Sequence, residues 1–367
     1  MRLAWLELRR RPGKFSVAVV TLTVLAALLL FLAGLLDGLF LGSTGALRAQ
    51  RADVFVYSST SRDSFLRSTI TPDTRAAVEA VQDVDAVGGL SVTLLGAVVP
   101  GETELADVAV IGYELQPSGI PRPSGPGQAW ADERLKGFGV GQGDTLLVGP
   151  AKTPITVVGF VADSNFQLQG GLWVQTDTWR QVQNQNRPDA PSAAGDVQVL
   201  LVQASPGQDA ALLADRIDAS TRVTSSLTKA EAENSLPGTK EQRTTFNSIL
   251  ATTYMVVVVI VALFFALLTL ERTPLYGMLK AIGASSRQLF VGVILQAIII
   301  ATVAFAIGGG LVAALSAAAP PKLPLQVQAS RIFTSYVILA VCAVIGSLLS
   351  LRRVSRIDPA QAIGTAQ

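Results

Sequence analysis

The 367 residues contain no histidine. That removes every Ser-His-Asp and Cys-His nucleophile-base arrangement and every zinc site built on an imidazole ligand. There is a single cysteine, Cys342, so no intramolecular disulfide forms, and its place inside an apolar stretch reads as a small buried hydrophobe. No G-x-x-x-x-G-K-[ST] occurs. The nearest imitation, Gly149-Pro150-Ala151-Lys152-Thr153, lacks the glycine before lysine that lets a backbone wrap a phosphate. Charge is scarce, at 15% of residues against 50% hydrophobic, and no solenoid-type repeat is visible. The chain has no ATP-hydrolysing motif of its own and no recognisable catalytic centre.

The apolar residues are gathered into blocks: Phe15 to Leu36, Ile249 to Leu270, Leu289 to Ala319 and Phe333 to Leu351. Each reaches the roughly 20 residues a helix needs to cross about 30 Å of hydrocarbon. Arg9, Arg10, Arg11 and Lys14 before the first block resemble a signal-peptide flank, but the apolar core exceeds the usual 7–15 or so residues and no A-x-A-like site follows closely, so a retained anchor is expected. Positive charge precedes the first block, lies between the second and third (Arg272, Lys280, Arg287) and follows the fourth (Arg352, Arg353, Arg356). The positive-inside rule makes those segments cytoplasmic. Residues 43–247 are then external, with 16 Lys and Arg against 23 Asp and Glu, a net of −7.

The expected fold class is an α+β membrane protein, with four transmembrane helices and a large extracytoplasmic α/β domain inserted between helices one and two. Its order is a cytoplasmic N-terminal amphipathic helix (1–14), membrane helix one (15–42), the external domain with its stalk (43–247) and membrane helix two (248–270). A cytoplasmic loop (271–288), helix three (289–319), an external loop (320–332), helix four (333–351) and a cytoplasmic tail (352–367) complete it.

Within the external segment, ADVFVY alternates like a strand and Thr71 can cap a helix starting at Pro72. The Pro- and Gly-rich run Gln116 to Gln128 marks a loop or subdomain junction. DTLLVG, TPITVVGFV and LWVQ read as short strands of a small β-rich unit. VQVLLVQA, a helix from about Pro206 to Asp218 and RVTSS read as a β-α-β element beside it, and Lys229 to Asn247 as a polar stalk. Asp37 falls at the outer end of helix one, where a carboxylate avoids the roughly 2.5–3.5 kcal/mol cost of the bilayer centre; it reads as a boundary residue rather than a substrate ligand. Gly308-Gly309-Gly310 reads first as a helix-packing site and second as a flexible point.

The most specified segment is the loop ERTPLYGMLKAIGASSRQLF, Glu271 to Phe290. Thr273 is a good N-cap and Pro274 suits the first helical position. Leu275, Met278, Leu279 and Ile282 fall at i, i+3, i+4 and i+7, one apolar stripe, and Gly283 is placed to end the helix in a left-handed conformation. Ser285 and Gln288 form a capping box for the next helix. A two-turn amphipathic helix at a membrane surface needs something to pack on. The bland alternative is an interfacial helix lying in the headgroups; for Trp5, Leu6 and Leu8 near the N-terminus, membrane-surface binding serves about equally well.

This loop resembles the second cytoplasmic loop of the MacB/FtsX-type ABC transporter permeases, whose usual form is close to E-R-x-x-E-I-G-x-L-K-A-I-G-A-S. The N-terminal LAWLELRRRPGKF, the helix order and the tail RRVSRIDPAQAIG are similar to the same family. The stretch GVGQGDTLLVG…ITVVGFVADSNFQLQGGLWV is similar to its DevC-like and haem-exporter-like branch. Pro274-Leu275-Tyr276 stands where the family commonly has a glutamate and isoleucine before glycine. By position Glu271, Gly277, Lys280, Ala281, Ile282, Gly283 and Ala284 match the loop motif, and Leu275, Met278 and Leu279 complete the stripe as ATPase-coupling candidates.

The resemblance implies a dimeric permease of the bacterial plasma membrane that works with a cytoplasmic ABC ATPase, itself a homodimer. ATP and Mg would sit on that partner, with no cofactor in this chain, no catalytic residue, no metal and no nucleic acid. The implied activity is extrusion of an amphiphile from the membrane: a lipid, peptide, antibiotic or haem. Haem would have to be held without histidine, through Tyr, Met or carboxylate groups. The alternative is a non-transporting relay that activates a cell-wall hydrolase. A membrane-anchored sensor is a third reading, against which the specified loop helix argues.

Overall fold

The computed structural model describes residues 12–270, 278, 282, 285–318 and 323–354, and it divides into two compact units. Helix α1 (Pro12–Arg48) leads to β1 (Val54–Ser58), α2 (Pro72–Glu79), β2 (Val84–Val98), β3 (Leu105–Tyr113) and β4 (Gln128–Asp132). Next come β5 (Thr145–Val148), β6 (Thr153–Val161), β7 (Gly170–Gln175), α3 (Thr176–Asn186) and β8 (Val199–Ala204). The chain continues through α4 (Ala210–Thr221), β9 (Thr224–Thr228) and α5 (Lys229–Ser235) into α6 (Thr239–Leu270), α7 (Ser286–Ala318) and α8 (Ala329–Val354). The four apolar helices α1, α6, α7 and α8 are long enough to span a bilayer, which makes this a multi-pass membrane protein.

The membrane unit is held by small residues. Its core joins Leu22, Ala26 and Leu29 of α1 to Val257 and Val261 of α6, Ala297, Ile300, Ala301 and Ala304 of α7, and Leu339, Cys342 and Ala343 of α8. Lipid tails are as apolar as these side chains, so association rests on close packing. A Cβ at Gly308 would stand 2.9 Å from Thr23 O and 3.0 Å from Ala27 N, and one at Gly346 would stand 2.6 Å from Ala262 Cα. The triple glycine thus serves packing through its first member, while Gly310 faces open space. Cys342 is buried, as expected of a small hydrophobe.

Asp37 is buried, not open to the headgroups. The segment before α8 folds along α1: Gln326 N donates to Gly34 O (3.0 Å), Gln328 N to Asp37 Oδ2 (3.4 Å) and Arg331 Nε to Asp37 Oδ1 (3.1 Å). A carboxylate this poorly hydrated needs such partners.

The inserted domain is a mixed α/β unit. β2 pairs antiparallel with β3, β3 parallel with β7, β7 with β4, β4 with β6, β6 with β5, and β5 returns to β2. These strands close into a ring whose interior is filled by Val108, Val110, Ala131, Leu146, Ile155, Val157 and Leu172, leaving no free edge there. The first half of the 15-residue β2 continues into an open wing, β2-β8-β1-β9. Helices α2 and α4 cover one face of that wing through Val78, Leu213 and Ile217. The other face packs Phe55, Tyr57 and Leu201 against Ala46 and Leu47, at the end of α1, and Ala232 of α5.

Local signals account for much of this. Thr71 caps α2 by accepting from Thr74 N (3.4 Å), and the β-α-β element appears as β8-α4-β9 with β1 inserted between its strands. α4 starts at Ala210, not near Pro206, because Asp209 is the better cap and accepts from Ala211 N (2.8 Å) and Leu212 N (3.2 Å). The strands β2 and β3 are not among the expected elements, although Pro100-Gly101 marks the turn between them, Gly101 with φ +84°. Gly88, Gly89 and Gly96 interrupt β2, two of them because Leu115 and Val197 leave no room for a Cβ.

Candidate functional site

The sequence places the coupling site between α6 and α7. Of its residues, Met278 and Ile282 are described; Glu271, Leu275, Gly277, Leu279, Lys280, Ala281, Gly283 and Ala284 lie outside the described residues. Ile282 N donates to Met278 O at 3.1 Å, the i to i−4 bond of a helical turn. Both side chains are open, Met278 at 62% and Ile282 at 78% exposure. Two large apolar groups are thus exposed on one face of a turn. The N-terminal residues Trp5, Leu6 and Leu8 also lie outside the described residues.

A second constellation, with no counterpart in the sequence reading, surrounds the end of α1 inside the domain. At about 1.5 Å per residue the 37-residue helix runs about 55 Å, well beyond a 30 Å or so hydrocarbon core. A helix end leaves its last carbonyls without intrahelical donors. Lys229 Nζ supplies one at Arg48 O (2.8 Å), and the two residues just past the helix are held as well, Gln50 O by Lys229 Nζ (2.6 Å) and Ala49 O by Ser118 N (2.8 Å).

Further back, the loop between β6 and β7 lies against the helix itself. Gln167 N donates to Ser43 O (3.0 Å) and Leu168 N to Gly42 O (2.9 Å), while Ala46 N turns outward to Asn165 O (2.7 Å). In the amide orientation that satisfies its neighbours, Asn165 Nδ2 donates to Gly42 O (3.2 Å) and Leu41 O (3.3 Å). Arg48 closes the contact with a two-pronged grip on Asp163, Nη1 to Oδ2 and Nη2 to Oδ1, each 2.5 Å, and also donates from Nη2 to Leu41 O (2.9 Å). Gly42 and Gly45 permit the approach. A Cβ at Gly45 would fall on the Asn165 amide, 2.9 Å from Asp163 O. The spacing Gly42-x-x-Gly45 followed by Arg48 is the local signal that could have pointed here.

The charges at this end are coupled. Burial pulls the Lys229 ammonium below the usual lysine range, with Glu233 and Asp53 acting in the opposite sense. Burial raises Glu233 above the ordinary carboxylate range, opposed by Lys229, Arg48 and Arg243. A cation kept at a helix C-terminus also meets the negative end of its dipole. Arg243 rests over the Phe40 ring, its guanidinium carbon 4.7 Å from the centroid. Among the described residues no group of acids or cysteine has metal-ligand geometry. The arrangement fixes the end of α1 to the β6–β7 loop and to Lys229 through hydrogen bonds and one ion pair.

Residues 247–359 match the family model for the C-terminal region of FtsX-like permeases. Over its full length the chain is 21% identical to a Staphylococcus epidermidis protein named as the hemin transport system permease HrtB, each covered to 100%. It is 27% identical to an uncharacterized ABC transporter permease of Mycobacterium tuberculosis, covering 98% of this chain and 97% of that one. The chain carries an FtsX-like permease C-terminal region and, over its whole length, is similar to ABC transporter permeases. Among solved structures, the periplasmic region of MacB from Actinobacillus actinomycetemcomitans covers 51% of the permease and 92% of that chain at 12% identity, with a TM-score of 0.35, too slight a likeness to carry weight. The likeness to ABC permeases agrees with the four apolar helices of a transmembrane subunit.

Proposed function

We propose that this permease couples ATP hydrolysis by a separate cytoplasmic ABC ATPase to extrusion of an amphiphilic substrate from the bacterial plasma membrane. The exposed turn carrying Met278 and Ile282 is the observation that carries the reading. Covering a large apolar side chain is worth roughly 1.5–3 kcal/mol, so even these two side chains supply a useful part of a docking energy. The rest of the stripe, Leu275 and Leu279, adds to it, with Glu271, Gly277, Lys280, Ala281, Gly283 and Ala284 completing the coupling loop. In this arrangement both termini are cytoplasmic and the inserted domain is external, in keeping with the distribution of positive charge. Four helices enclose too small a path for a bulky amphiphile, so the working unit is a permease dimer joined to two ATPase subunits. ATP and Mg belong to the ATPase.

Hemin is the first substrate to test, because a relative aligned over the whole length is named for hemin transport. Inside-out vesicles holding permease and cognate ATPase should accumulate hemin in an ATP-dependent way. Accumulation equal with and without ATP, for hemin, a fluorescent phospholipid and a cationic peptide alike, would reject transport in favour of a relay to an external enzyme.

A further inference from the structure

We infer that Asp163 and Asn165, acting with Arg48, are positioning residues for transport, because the loop that bears them is the joint through which movement of α1 enters the inserted domain. The inference rests on the proposed coupling to an ATPase. The two membrane helices that reach the domain are attached in different ways. On α1 the attachment is long-range: Asn165, Gln167 and Leu168 bond backbone groups of Gly42, Ser43 and Ala46, Ser118 and Lys229 hold the carbonyls at its end, and Arg48 grips Asp163 across 115 positions of chain. A shift of α1 along its axis must either carry the loop with it or break these bonds together.

On α6 the chain leaves the domain through a short turn, with Arg243 of α6 resting on the Phe40 ring and donating to Asn234. α5 is docked in the domain by Ala232 and Leu236, but Pro237 and Gly238 then separate it from α6. Gly238 has φ +79° with nothing within 4 Å of a would-be Cβ; Thr239 N to Leu236 O (3.0 Å) is a turn bond across it, and Gln242 N to Gly238 O (2.9 Å) is the first helical bond of α6. Such a link permits bending. The α1 loop is also the more constrained: Asp163, Gln167 and Leu168 hold φ of 52°, 49° and 67° without being glycine, a cost retained only where the surroundings impose it. Displacement therefore enters through α1, and the Gly238 link serves as the hinge.

The test uses full-length permease in lipid nanodiscs, alone and with its ATPase. Asp163→Asn keeps the side chain's shape and removes the charge that Arg48 grips. It should speed amide exchange at Ala46, Gln167 and Leu168 about tenfold in the permease alone, the effect of a local opening made easier. With ATPase, hydrolysis should stay within about twofold of wild type while hemin moved per ATP falls about tenfold, and Asp163→Glu, which keeps the charge, should recover most of it. A Gly-Ser insertion after Gly238 should leave exchange at Ala46 unchanged. Unaltered exchange in Asp163→Asn, or normal export per ATP with exchange raised, overturns the joint. A wild-type protein that never moves substrate contradicts the transport reading instead, and the exchange measurement still decides the joint.

Discussion

Replacing Gly45 by alanine should destabilise the permease although alanine is the better helix former. In an open helix interior the exchange gains roughly 0.5–1 kcal/mol. Here the new Cβ would meet the Asn165 amide, Asp163 O at 2.9 Å and Asn165 N at 3.0 Å. Two of those atoms are backbone, so the loop cannot give way by turning a side chain. Overpacking of this kind costs about 1–3 kcal/mol, and losing the Ala46 N to Asn165 O bond (2.7 Å) adds about 1 kcal/mol. The clash wins, for a net loss of about 1–3 kcal/mol. Gly310→Ala is the control: nothing lies within 4 Å, so it should stabilise by about 0.5–1 kcal/mol. Thermal unfolding of both variants in one detergent, with amide exchange at Ala46, reads the difference. A Gly45→Ala protein as stable as Gly310→Ala, with exchange unchanged, would refute the close contact.

Other consequences follow from single groups. Thr228→Ala removes the cap of α5 and should lower domain stability by about 1 kcal/mol, measured by denaturant unfolding. Its partner Glu231 is held below the ordinary carboxylate range by hydrogen bonds from the Thr228 hydroxyl and amide. That contribution is complete above the unfolded carboxylate value of about 4.3 and disappears as pH falls through the lower folded value, so the gap between Thr228→Ala and wild type should narrow in strong acid but not close, because Glu231 N still donates to Thr228 Oγ1. Asp37→Ala leaves Gln328 N and Arg331 without their acceptor; since Arg331 is 34% exposed and can rehydrate, the expected loss is about 1–3 kcal/mol in unfolding, less than for a fully buried pair. Native mass measurement in nanodiscs should find two permease chains with two ATPase chains, and a lone permease that fully stimulates hydrolysis would contradict the dimer.

The sequence makes the membrane helices plain because each carries an apolar run of about 20 residues, so composition alone marks it. Thr71 and the strands β5 to β9 are equally visible, since caps and alternation act within a few residues, whereas the start of α4 at the Asp209 cap reads too early from the sequence, near Pro206. Met278 and Ile282 lie on one face as their spacing requires, and both are open. The grip on α1 is different. Arg48 and Asp163 are separated by more than a hundred residues, and nothing near either one names the other. Long-range pairing also hides β2, whose glycines weaken its local strand signal yet are required where Leu115 and Val197 press against it. Asp37 reads only as a boundary residue from its position, because its partners Gln328 and Arg331 arrive from the far side of α7 in the chain.

The central claim is that the turn bearing Met278 and Ile282 docks on an ATPase, and the most direct measurement is ATP hydrolysis by the cognate ATPase reconstituted with wild-type permease or with Met278→Asp/Ile282→Asp. Both side chains are exposed, so the substitutions disturb no core and membrane insertion should be normal. Burying even one charge in an apolar groove costs several kcal/mol, enough to abolish docking. The expected result is loss of ATPase co-purification and of permease-stimulated hydrolysis, with the variant folded and inserted as the wild type is. Full stimulation by a correctly inserted double variant would contradict the account.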